Sequence, residues 1–460
     1  MNNNSTVDSD AESSLPEDSG DPQHFPPGAL NANWFNLFNA ISFQITLGSP
    51  MILYAKSIGA SATTLGIIAA LTPLLNIFQL PAAHFMAKIG YKRFVLMGWG
   101  TRSIFIFFIS LIPLATFVDP TTRIVLVLTA LFGFNLMRGI SSGAWMPWIT
   151  ELIPEKIRGR FLSRDQIFTH LGSFVALIIA AICMSGATPS PWQFSIVFFI
   201  SASGAWISLL FLRKIPDIDS HETMSRSGHR VPWGAIITYA PFARLLFFNL
   251  LFVLAIGGMG TFTVAYLKTM TPFTEGSILL LVSLNFIGAL AGLPLTGRIL
   301  DSTGSKPILF LSLGLFLVVI GGWFLLSSEL LSHTIYLVAL LNLLGGMASA
   351  NFNLANVRIM MNTMPPMGRN HFFALFAVLT SLGLGAAPII WGLFIDGIGN
   401  WTREGDWLNW NRYSLYFSTI FLLCLINALI TSFLHEQKPK FAPDNLLVAK
   451  MRRFSRYWQR

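Results

Sequence analysis

Stretches of apolar residues long enough to cross a hydrocarbon layer of about 30 Å as a helix, about 20 residues each, recur about twelve times in this chain. In lipid, every backbone N–H and C=O must be satisfied internally, so stretches of this length read as transmembrane helices. They fall within 33–56, 62–87, 94–118, 124–150, 165–187, 192–213, 243–267, 276–297, 307–327, 334–361, 371–396 and 412–434. Composition bears out the choice of solvent. Hydrophobic residues make up 53% and charged residues only 11%, where a water-soluble domain carries about 25% charged residues. A formal charge of +9 does not point to nucleic acid, because the basic residues sit in short clusters between apolar runs and not along one face. Cys183 and Cys424 both lie inside apolar stretches; they read as packing residues, with no disulfide framework, metal centre or cofactor expected.

The polar remainder divides the chain. Residues 1–30 hold six acidic side chains and no Lys or Arg, cannot bury enough apolar surface to order themselves, and read as a disordered acidic tail. They are acidic where a secretory signal is basic, so the first span is expected to stay in the protein. Residues 214–242, with Pro216, Asp217, Asp219, His221, Glu222, Arg226, Arg230 and Pro232, read as a linker between six-helix bundles at 31–213 and 243–435. Lys and Arg are retained on the cytoplasmic side. With the N-terminus inside, the connections at 88–93, 156–164, 213–244, 298–306 and 369 and the basic tail 436–460 hold most of the 30 Lys and Arg. Lys56, Arg123, Lys268, Arg403 and Arg412 fall outside, and Arg102, Arg138 and Arg358 lie within spans or at their edges. Both termini are therefore expected in the cytoplasm, with the chain in a bacterial inner (plasma) membrane and the tail around Arg452, Arg453, Arg456, Tyr457 and Trp458 against an anionic leaflet.

The two halves repeat one another. Ala83-His-Phe-Met-Ala87-Lys88-Ile-Gly90-Tyr-Lys92-Arg93 after span 2 aligns without gaps with Gly297-Arg-Ile-Leu-Asp301-Ser-Thr-Gly304-Ser-Lys306 after span 8. In each, the glycine allows a sharp turn and the basic residue two positions on anchors it at the inner leaflet. Pro154-Glu-Lys-Ile-Arg158-Gly159-Arg160 after span 4 is echoed by Pro365-Pro-Met-Gly368-Arg369 after span 10. Two motifs at a similar separation imply duplication of a six-helix unit. On these motifs the chain resembles the major facilitator superfamily over residues 31–435. The second-half loop matches the superfamily signature at Gly297, Asp301, Gly304 and Lys306, whereas Ala87 stands at the acidic position of the first. Arg138-Gly-Ile-Ser-Ser-Gly143-Ala144 is similar to the span 4 motif of proton-coupled members, with Ser142 in place of the usual Gly. The resemblance implies an all-α transmembrane fold of two pseudo-symmetric six-helix bundles and secondary transport by alternating access. The Gly-Pro motif of drug antiporters in span 5 and the sugar-porter signature after span 6 are missing.

Ionisable and amide side chains at bilayer depth are costly and mark candidate function. At 100° per residue, Asn135, Arg138, Ser142 and Trp145 share one stripe of span 4. Asn342, Ser349, Asn353 and Asn356 form a comparable stripe in span 10; a shift of 211 residues, the offset of Pro154 and Pro365, superposes Arg138 on Ser349, Ser142 on Asn353 and Trp145 on Asn356. Asn36, Asn39 and Gln44 in span 1, Asn249 in span 7 and Asn285 in span 8 complete the candidate substrate-binding set. Each amide reads as a substrate contact or as a bond between helices. A guanidinium at Arg138 suits a carboxylate or phosphate, so the expected cargo is a small polar solute with an anionic part. Glu151, Asp165, Glu275, Asp301 and Asp396 lie near span edges and His170 is the one midspan imidazole, which leaves protons or another coupling ion open. A drug or sugar exporter of the same superfamily and a non-transporting membrane sensor are the alternatives. An enzyme is not expected, since His84, His170 and His371 have no metal ligand or nucleophile at suitable spacing; a monomer is. The loop 397–411, rich in Trp, reads as a lid or an interfacial anchor.

Overall fold

A computed structural model describes residues 25–217, 239–363, 369–434 and 436, apart from 27, 154, 187, 406 and 407. The expectations for the acidic tail, for most of the linker and for the basic tail fall largely outside these residues. Among the described residues, twelve helices are long and apolar enough to cross a membrane: Leu30–Ser57, Ala62–Ala82, Tyr91–Leu114, Pro120–Ser142, Arg164–Cys183, Pro191–Arg213, Ala240–Met270, Glu275–Gly292, Ser305–Ser327, Ile335–Thr363, Leu375–Ile398 and Arg412–Thr431. They are called spans 1 to 12 in that order.

Helices that begin at the 58–61, 115–119, 184–190 and 399–411 loops start where a small polar side chain replaces the missing backbone acceptor. Ser61 accepts from Thr64 N, and Asp119 accepts from Thr122 N ahead of Pro120. Ser190 with Gln193, and Asn411 with Ser414, form reciprocal capping boxes. At the opposite ends the two repeated turns share one backbone device: Gly90 has φ 85° and Gly304 has φ 91°, each directly ahead of the next helix. With ψ of 148° and 178° both lie in an extended positive-φ region that is essentially glycine-only, where an L side chain pays about 1–3 kcal/mol. Since a Cβ at Gly90 would meet nothing within 4 Å, Gly90→Ala should lower stability by about that amount and no more. Thermal unfolding in detergent measures it; a loss near zero would show that the turn relaxes.

Spans 1 and 7, equivalent in the repeat, are both interrupted. Span 1 breaks at Gly48, which has φ −92° and ψ −156° and precedes Ser49-Pro50. Span 7 breaks at Gly257-Gly258, between Ala240–Ile256 and Met259–Met270. Pro50 cannot donate to the ladder and the glycines tolerate the bend.

The halves meet along three helix pairs: span 2 with span 11, span 5 with span 8, and the short second segments of spans 1 and 7. The approaches are close enough to need glycine. A Cβ on Gly66 would stand 2.2 Å from the carbonyl O of Pro388, one on Gly392 would stand 2.6 Å from Ala62 O, and one on Gly385 would stand 2.3 Å from Leu74 Cγ. On the second pair, a Cβ on Gly276 would lie 3.0 Å from Ala181 O. Where span 2 begins, the Asp396 carboxylate of span 11 accepts from Ala62 N (3.0 Å) and Thr63 N (2.7 Å), an anion on a helix N-terminus. These contacts run from the middle of the molecule to the end carrying the 58–61 and 397–411 loops.

The 397–411 loop folds away from that seam. Arg403 and Trp410 pair as an antiparallel bridge, Asn409 donates to Glu329 Oε2 (2.8 Å), and Asn411 donates to Ser327 O (2.6 Å). Trp410 packs on Phe324 at 5.8 Å, so the loop is tied to the end of span 9. Cys183 and Cys424 are free, Cys424 fully buried.

Candidate functional site

Two cavities with polar side chains in a largely apolar lining lie among the helices, and span 1 serves both. The first, of about 270 Å³, is lined by Phe35, Asn36, Asn39 and Phe43 of span 1, Trp99 and Arg102 of span 3, Arg138, Ser142 and Trp145 around the end of span 4, and Thr169 and Ser173 of span 5. The second, of about 360 Å³, takes Gln44, Leu47, Gly48, Ser49 and Ile52 from span 1 and is otherwise built by the second half, with Thr261 and Thr263 of span 7, Asn285 of span 8, Trp323 of span 9 and Asn342 and Ser349 of span 10. The two helix breaks fall at the second cavity: Gly48, Ser49, Ile256, Met259 and Gly260 line it.

Positive charge dominates the first cavity. Arg102 is 2% exposed; it donates through Nη2 to Asn39 Oδ1, and its Cζ lies 4.8 Å from the Trp99 ring and 5.4 Å from the Phe134 ring. Arg138 donates through Nη1 to Asn76 Oδ1 (3.0 Å), and its Cζ lies 4.8 Å from the Phe43 ring. Among the described residues, neither guanidinium bonds a carboxylate. The nearby carboxylate, Asp165, accepts instead from Nδ2 of Asn33 and of Asn36. Asn33, Asn36 and Asn39 recur every third residue on one face of span 1, so this helix holds an anion and a cation one turn apart without letting them pair.

The sequence-predicted set divides on this geometry. Asn36, Asn39, Arg138, Ser142 and Trp145 converge on the first cavity, and Gln44, Asn285, Asn342 and Ser349 on the second. Asn135 lines neither: buried, it accepts from Thr72 Oγ1 (2.8 Å) and donates to Leu131 O (2.8 Å), which ties span 4 to span 2. Asn249 is likewise occupied, accepting from Asn356 Nδ2 (2.6 Å) and donating to Leu245 O (2.9 Å). Asn353 is exposed. His170 sits against Phe286 across the halves, with ring centroids 6.1 Å apart. Arg102, Asn76, Thr169 and Ser173 were not singled out by sequence reasoning. Arg102 carried a signal, as a second arginine inside a span; the others are ordinary polar residues whose place only packing reveals.

A profile described as the Major Facilitator Superfamily matches residues 34–326 and 269–456. The chain belongs to the major facilitator superfamily. It is thus an integral membrane transporter, with the all-helical, twelve-span fold of that superfamily. None of the curated proteins matches the sequence. Among solved structures, a point-mutant form of the nucleoside transporter NupG superposes with a TM-score of 0.69 at 12% identity, covering 89% of this chain and 100% of that one. A D-xylose-proton symporter gives 0.67 at 13% identity over 90% and 97%. A POT family transporter in complex with 5-aminolevulinic acid gives 0.64 at 14% identity over 88% and 95%. At these identities the likeness is one of fold. In this superfamily member the first cavity lies within the first six-helix half, and the second lies between span 1 and spans 7 to 10 of the second half.

Proposed function

We propose that this superfamily member moves a small polar solute with an anionic part across a bacterial inner membrane by alternating access. The six-helix units 31–213 and 243–435 rock about the cavities, and both termini face the cytoplasm. The observation that carries this reading is the combination of a guanidinium-lined cavity with a seam whose close contacts, among the described residues, lie from midspan towards the end of the 58–61 and 397–411 loops. The clustering of Lys and Arg in the connections at the other end supports the orientation. The structure is then a state held together at its outer end, and the solute biases the equilibrium by its differential affinity for the two orientations. In this reading the transporter works as a monomer.

The test is a cleavable link across the outer seam. With Cys183 and Cys424 replaced by Ser, cysteines at Ser61 and Gly397 joined by a short thiol reagent should stop uptake into proteoliposomes, and cleavage should restore it. Unimpaired turnover with the link in place would contradict the mechanism.

A further inference from the structure

We infer that the first cavity is a two-arginine site for a compact dianionic group, a phosphate monoester or a dicarboxylate. This rests on the transport reading above and narrows its cargo. Arg102 and Arg138 enter from neighbouring spans, 3 and 4, and both line the same 270 Å³ space. A guanidinium carries five N–H donors, yet each has a single side-chain acceptor among the described residues, and in both cases it is a neutral amide oxygen, of Asn39 or Asn76. Arg102 Nε is buried with no partner at all.

Arginine does not escape this cost by deprotonating, because it stays charged even when buried. Two uncompensated positive charges in one desolvated cavity repel each other and leave donors unspent. Asp165 is engaged by Asn33 and Asn36 and bonds neither arginine. A monoanion would answer one guanidinium and leave the other. A group with two charges and several oxygens answers both, through the planar forks that favour carboxylate and phosphate oxygens. The Phe43, Trp99 and Phe134 rings pack against the guanidinium groups, with ring centroids 4.8, 4.8 and 5.4 Å from their Cζ atoms, and rings offer no hydrogen-bond acceptor of carboxylate strength to the remaining N–H groups. Ser142, Thr169 and Ser173 add hydroxyls for the remainder of the solute.

The experiment titrates purified full-length protein, in an uncharged detergent free of phospholipid, with inorganic phosphate, succinate, acetate and glucose. Calorimetry gives affinities and thermal unfolding gives shifts, for the wild type, Arg138→Lys and Arg102→Lys; the lysines keep the charge and lose the fork. A dianion should bind at least about tenfold more tightly than acetate, and each substitution should weaken it by about tenfold or more. Response to phosphate alone assigns a phosphate ester, and response to succinate alone assigns a dicarboxylate. If Arg102→Lys fails to fold, Arg138→Lys carries the test. No binding of either dianion, binding of acetate as tight as the dianions, or dianion binding unchanged by the lysines would overturn the site. The cross-link across the outer seam is read independently, so such a failure would leave the transport mechanism standing.

Discussion

Transport by a Gly66→Ala protein is expected to fall by about tenfold to a hundredfold while the protein still folds. One added methyl on span 2 would stand 2.2 Å from the carbonyl oxygen of Pro388 and 2.8 Å from its carbon. The obstacle is backbone of the facing half and cannot swing aside as a side chain would. Overpacking of this kind costs about 1–3 kcal/mol, and it is felt only while the two halves are pressed together. The state with the outer end apart has no such clash, so the substitution works on the equilibrium between orientations more than on folding. At about 1.4 kcal/mol per tenfold, the closed state loses the population that gives the quoted range. Gly100→Ala in span 3, where nothing lies within 4 Å of the new Cβ, is the control and should transport normally. Uptake assays and maleimide labelling of a cysteine at Ser61 check both points; equal uptake by the two variants would show that the seam does not close during transport.

Replacing Arg102 by Met should reduce transport by about tenfold to 150-fold with little change in melting temperature. The loss follows from deleting a charged hydrogen-bond donor, worth about 1.5–3 kcal/mol to the partner it meets. Stability is a contest between two effects. Removing a buried charge that has no carboxylate partner relieves a penalty; replacing such groups by apolar residues is often neutral or stabilising by about 1–4 kcal/mol. Against it, Asn39 Oδ1 loses its donor, an unsatisfied group costing about 1–3 kcal/mol. The two nearly cancel. Thermal unfolding beside uptake separates the roles: a collapse of stability would make Arg102 a structural residue, and full uptake would remove it from the solute path.

The span pattern was legible because lipid dictates it. A helix that must satisfy its backbone internally leaves a run of apolar residues whatever its neighbours are, and the repeated turns at Gly90 and Gly304 are local backbone facts that reappear with nearly equal φ. The breaks in spans 1 and 7 were overlooked although Gly48-Ser49-Pro50 and Gly257-Gly258 are visible in the sequence, since a glycine in a membrane helix can equally serve close packing, as Gly66 does. The stripe expected on span 4 divides in the structure, with Trp145 already beyond the helix end at Ser142. Arg138, Ser142 and Trp145 reach the cavity, but Asn135 is turned to Thr72, because one polar stripe can face both a neighbouring helix and the space beside it. The same holds for Asn249, which accepts from Asn356 Nδ2 and donates to Leu245 O. Arg102 was visible as an arginine inside a span, but that it shares a cavity with Arg138 depends on which helix lies beside span 1, a property of tertiary packing.

The measurement that bears most directly on the rocking motion is a pair of distances by pulsed electron paramagnetic resonance. Spin labels at Thr121 and Ile335 report the outer ends of spans 4 and 10, and labels at Lys92 and Lys306 report the repeated turns at the opposite end. Across conditions that shift the equilibrium, with and without transported solute in proteoliposomes, the outer distance should lengthen in the same molecules in which the inner distance shortens. Two distances that stay fixed, or that lengthen and shorten together while transport proceeds, would contradict alternating access by these halves.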